Sequence, residues 1–242
     1  MAIFIISWPL FCIAFGLMLL FTFIMSVQSL HFYTKDVVVK KFSIMELELP
    51  ASPTELVNLI KGLYKLPEPQ SKNAVNALKS QLYIDFLFMP CAYGTIFLLC
   101  MLVSAKMQMS FGVNVFTLLA WAQLIPGFGI IIIVPFVFTL LAWAQLIPWL
   151  CDIIENIYLL RKIRPDPVLS IASVHKAYLR MEYIKWGIAF SAAICAIAAI
   201  CYFWLSGHYA VHSLYYLLIV VAEIILFSIA GKLFLKNKKE EM

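Results

Sequence analysis

Leu141 to Arg164, LAWAQLIPWLCDIIENIYLLRKIR, sets three polar groups, Asp152, Glu155 and Asn156, inside an apolar run of membrane length. At 100° per residue, positions i, i+3 and i+4 share one helix face, so two carboxyls and an amide point the same way. A chain that tolerates such groups in an apolar helix must give them partners inside the protein. The stretch therefore predicts a packed membrane helix with one polar side.

Working outward, the composition agrees. The chain has 242 residues, 64% of them hydrophobic and 13% charged, with a mean hydropathy of +0.94. Those values lie outside the range of soluble domains and predict an all-α, polytopic integral membrane helix bundle. A hydrocarbon core of about 30 Å takes roughly 20 helical residues. Runs of that kind occur near 3–27, 82–104, 113–134, 137–160, 184–205 and 211–231, six hydrophobic helices in all. Residues 1–27 form an anchor helix, 28–81 a small polar region, and 82–242 a membrane bundle with a basic C-terminal tail. The first run lacks a basic flank and a small-residue cleavage site, so it is expected to stay attached. The formal charge of +5 is read as a topological signal and contact with anionic lipid, and nucleic acid is excluded as a partner. Cys12, Cys91, Cys100, Cys151, Cys195 and Cys201 sit in or beside apolar runs without metal-ligand spacing; they read as small packing residues.

In the polar region, 37–49 alternates loosely and predicts an extended piece. Ser52-Pro53-Thr54-Glu55 is a helix start, with Ser52 as cap, Pro53 in the first turn and Glu55 completing a capping box. The helix should cover 53–65, with Leu56, Leu59, Ile60 and Leu63 as its apolar stripe and Pro67 and Pro69 ending it. A second helix beginning near Ser71 should pass unbroken into the segment at 82. Asp85 lies about one turn inside that segment, and Pro90 predicts a kink near Tyr93 and Gly94.

The twelve residues VFTLLAWAQLIP stand at 115–126 and again, letter for letter, at 137–148, an internal repeat of 22 residues. The polar trio follows the second copy alone. Beyond Arg161, Pro165 and Pro167 stop the helix, and Asp166 is placed to cap an interfacial helix that becomes the segment at 184. His208 and His212, at i and i+4, are a weak metal pair lacking a third ligand; no other metal site and no cofactor is expected. Glu223 lies deep in the last segment, where a carboxyl needs a partner.

Two topologies compete. Six full crossings put the loops 28–81 and 161–183 on opposite sides and divide the basic residues between them. If 113–160 makes one net crossing, a five-span arrangement results. Both loops and the tail then share a side, with Lys106 opposite, which is a strong positive-inside pattern. Depth agrees with the second arrangement, because five crossings allow Asp85 to meet Asp152 and Glu155.

Asp85-Phe86-Leu87-Phe88 followed by Tyr93, then Leu141-Ala142-Trp143, then Asp152 with Glu155-Asn156 and Leu159-Leu160, resembles a group of bacterial multi-pass membrane proteins. The likeness covers 45–163, and the doubled segment departs from its pattern. The resemblance implies a bacterial inner (cytoplasmic) membrane and carries no activity with it. The function favoured is a non-enzymatic membrane protein that packs with a partner protein or a second copy, or assists a membrane assembly. Asp152, Glu155, Asn156 and Asp85 are its polar cluster, with Tyr93, Arg161 and Glu223 as secondary candidates; Arg161 and Tyr158 are expected to approach the face. A small ion-coupled carrier using the intramembrane carboxylates is the first alternative, and a lipid-modifying enzyme the second.

Overall fold

The structure is a computed structural model that describes residues 6–111, 129–209 and 213–240, with side chains over 6–107, 136–209 and 213–234. It is an all-α membrane protein. Its helices are α1 (Trp8–Gln28), α2 (Ile44–Glu48), α3 (Pro53–Tyr64), α4 (Gln70–Phe111), α5 (Gly129–Ala144), α6 (Leu146–Lys162), α7 (Ala172–Leu205) and α8 (Leu214–Glu240). Among the described residues five stretches are long and apolar enough to cross a membrane: Trp8–His31, Gln70–Met107, Phe136–Lys162, Ala172–Leu205 and Leu214–Phe234. Of the expected segment 113–134, residues 113–128 and the first copy of the repeat lie outside the described residues.

The expected boundary at 135–136 is not a break. Helix α5 runs through it and ends at Ala144, and α6 starts two residues later. Pro148 gives the physical reason, because it has no N–H for the carbonyl of residue 144 and its ring crowds that carbonyl. In the first turn of α6 the same proline costs little. The interruption is bridged by Gln145, whose Nε2 donates to the Leu141 carbonyl at 3.1 Å. Pro90, by contrast, lies within an unbroken α4.

The chain folds as two compact units. The first contains residues 20–90 and 147–186. Here Tyr33–Lys35 and Val39–Lys41 pair as a two-stranded antiparallel hairpin, Thr34 opposite Lys40. The expected extended piece at 37–49 is thus half right: 39–41 is strand, whereas 44–48 is helical, with the Ser43 N–H donating to Glu46 Oε1 at 3.1 Å. Helix α3 starts at Pro53 with Ser52 as its cap, as the sequence predicts, but Glu55 does not close a capping box on Ser52. Ser52 Oγ accepts from Glu55 N at 3.2 Å, while the Glu55 carboxylate takes the N–H of Ala51 at 2.6 Å. The Leu56, Leu59, Ile60 and Leu63 stripe is buried, and it shares a core with Phe32, Phe42, Leu78, Leu159 and Ile163. Each such side chain contributes about 1.5–3 kcal/mol by leaving water. The hairpin lies so close to α3 that a Cβ on Gly62 would fall 2.0 Å from Thr34 Oγ1. Residues 163–171 are irregular, and α7 begins at Ala172, so Asp166 does not cap it.

The second unit contains residues 1–19, 91–146 and 187–242. Its core joins Phe11, Leu99, Val103, Phe138 and Ala142 to Ala192, Ala196, Ile200 and Phe203. Alanines four apart on α7 let its neighbours approach closely. Trp8 stacks on Trp204 and Tyr216, with ring centroids 5.8 and 6.0 Å apart. Just past the end of α7, Gly207 has φ +71°. Its N–H reaches the Trp204 carbonyl at 3.2 Å, and the N–H of His208 reaches that of Phe203 at 3.0 Å; this is the paired closure that a left-handed glycine permits.

Candidate functional site: a buried acid cluster around one lysine

Asp152, Glu155, Asn156 and Leu159 line the buried face of α6, as their spacing requires. Facing them, α7 presents Tyr178, Glu182 and Lys185, four and three residues apart and therefore on one face. Glu48, the last residue of α2, and Asp85 of α4 complete the set. All nine belong to the first compact unit.

Lys185 is the centre. The residue is 2% exposed, and its Nζ lies 2.8 Å from Asp152 Oδ1 and 2.5 Å from Glu182 Oε2 and donates to Glu155 Oε2. An ammonium has three protons, and here each has a carboxylate. Tyr178 donates to Glu155 Oε1 at 3.2 Å. On the other edge, Asn156 Nδ2 donates to Asp85 Oδ2 at 2.7 Å and to the Leu82 carbonyl at 3.4 Å. The Tyr158 ring lies 5.0 Å from that of Tyr178, and its hydroxyl bonds Ser170 at 2.6 Å.

Glu48, Glu155 and Glu182 each bring one carboxylate oxygen to within 4.8 Å of the others. Glu182 is 0% exposed, and its Oε1 has no hydrogen-bond partner. One lysine does not balance this many acids at such close range. Burial pushes the half-buried Glu48 carboxyl up to about 7; Lys185 opposes the rise, and Glu182, Asp85 and Asp152 add to it.

Of the residues singled out from sequence, Asp85, Asp152, Glu155 and Asn156 come together. The cation that meets them is Lys185. Arg161, expected in that role, is exposed at the end of α6, and Tyr158 turns to Ser170. Tyr93 and Glu223 belong to the other unit, where a Cβ on Gly16 would lie 2.9 Å from Glu223 Oε1. His208 is hydrogen-bonded to Ser206 at 2.7 Å, and His212 lies outside the described residues. Sequence reasoning missed Glu48, Tyr178, Glu182 and Lys185. The last three carried a signal, polar residues at helical spacing leading into an apolar run; Glu48 carried none.

Comparison of the chain with protein-family models, with curated proteins and with solved structures gave no match. The chemistry of the cluster is therefore the ground for a functional reading. Such a constellation can tie helices together, store protons or hold a cation.

Proposed function

We propose that this integral membrane protein acts without catalysis, as a membrane-anchored platform that packs with a partner membrane protein or a second copy of itself, in the inner membrane of a bacterium. The observation that carries this reading is the engagement of Lys185: all three of its donors go to carboxylates of its own chain, from α6 and α7. A lysine held this way ties helices and is poorly placed to serve as a nucleophile or base. Helix α8 supports the partner: no residue in the apolar window of Leu214–Phe234 is fully buried, and although Tyr216 and Val220 pack against the core, much of the helix surface is left for lipid or another protein. The bacterial membrane rests on the resemblance of the DFLF and LAW…DxxEN stretches.

Glu155 provides the test. In a tie, Glu155→Gln keeps the shape and one acceptor and is tolerated, whereas Glu155→Leu lowers thermal stability in detergent. The carrier reading, favoured by the excess of acids over Lys185, predicts the reverse pattern. Wild-type protein in liposomes would then dissipate a pH gradient, and Glu155→Gln would abolish that flux with stability intact. Gradient loss no faster than in protein-free liposomes is the result expected.

A further inference from the structure

We propose that the carboxylates of Glu48, Glu155 and Glu182 form a binding site for one oxygen-preferring divalent cation of the Mg²⁺, Mn²⁺ or Ca²⁺ class. Three features carry it. The first is spacing. Ligand oxygens held at about 2.0–2.6 Å from a single ion are at most about 4–5 Å apart, and the three oxygens here lie within 4.8 Å of one another.

The second is an open valence. Glu182 is fully buried, its Oε2 meets Lys185, and its Oε1 has no hydrogen-bond partner. A carboxylate oxygen buried without a donor costs several kcal/mol, and this one belongs to the carboxyl that faces Glu48 and Glu155. The third is charge. Lys185 is the cation seen among Glu48, Asp152, Glu155 and Glu182, so ionisation of all four acids leaves the group net negative after the lysine is counted. A divalent ion offsets two of those charges and supplies the missing partner at once. The ligand set is all oxygen, without Cys or His, which selects hard cations over Zn²⁺ or Cu²⁺.

The site also joins three elements. Glu48 comes from α2, Glu155 from α6 and Glu182 from α7, so an ion there would hold the short α2 against the two long helices. Protons are the competing occupant, since two facing carboxyls can share one instead.

The experiment uses the full chain, purified in detergent and stripped with a chelator, with Mn²⁺ as the probe read by calorimetry and electron paramagnetic resonance. One Mn²⁺ per chain is expected, displaced by Mg²⁺ or Ca²⁺, with a melting temperature that rises on addition. Glu48→Gln should weaken Mn²⁺ binding by about tenfold or more and leave the metal-free melting temperature within about 2 °C of wild type. Glu68→Gln, at an exposed position of the same unit, should bind as wild type. The wild-type measurement stands whatever the variants do. Failure of the wild-type chain to take up stoichiometric Mn²⁺ at millimolar concentration overturns the proposal, as does a melting temperature that responds to pH but not to metal. A Glu48→Gln protein that binds Mn²⁺ like wild type also overturns it.

Discussion

Lys185 shows what a single buried residue does in this protein. Its ammonium meets Asp152, Glu155 and Glu182, so Lys185→Met removes one charge and strands three. Breaking a buried pair in this way costs about 3–5 kcal/mol. Chemical or thermal denaturation in detergent should therefore show Lys185→Met to be severely destabilised, while Lys72→Met, on an exposed lysine of the same unit, should stay near wild type. At this scale the sequence was partly legible. Asp152, Glu155 and Asn156 declared a common face through their spacing, and depth in the membrane brought Asp85 to them. Lys185 did not declare itself, because a lysine beside the start of an apolar run reads as an anchor reaching for headgroups. Glu48 was hidden for another reason: an acid ending a five-residue helix in a polar loop reads as solvated, and its burial comes from elements distant in sequence.

Among the elements, the contact of hairpin and α3 turns on Gly62. A glycine in a helix normally costs about 1 kcal/mol relative to alanine, so Gly62→Ala ought to stabilise α3. Here the added Cβ would fall 2.0 Å from Thr34 Oγ1, a hydroxyl that donates to the Leu59 carbonyl at 2.9 Å. The clash should prevail and destabilise the unit by about 1–3 kcal/mol, with faster hydrogen exchange across 33–41 and 53–64 as the readout. Equal or greater stability would show that the close approach does not hold. The start of α3 was legible because a Ser-Pro-Thr-Glu run specifies a cap and a first turn locally. The end of α5 was less so: hydropathy does not change at Gln145, and the break comes from the missing N–H of Pro148. The start of α7 was misplaced because Asp166 has the chemistry of a cap but the chain between 163 and 171 stays irregular.

For the whole molecule, the competing topologies are separated by the way one unit is built. Ile60 and Leu63 share a core with Leu159 and Ile163, and Asn156 reaches Asp85. The polar regions after α1 and after α6 therefore meet, as the five-span reading expects. Hydropathy alone gave six segments, because it measures length and apolarity and is blind to which segment ends meet. The repeat bears on the same point. Removing Gly127 to Pro148 joins Pro126 to Trp149 and restores LAWAQLIPWLCDIIEN, with Phe116 and Ala120 replacing Phe138 and Ala142 in kind. That shortened chain should keep the acid cluster and the sidedness of the full one. The most direct test is cysteine labelling from each side of the membrane in full-length chain whose six native cysteines have been replaced. Single cysteines at Lys61 and Arg164, both exposed, serve as reporters. The structure predicts that positions 61 and 164 label from one side; labelling of 61 and 164 from opposite sides would contradict it.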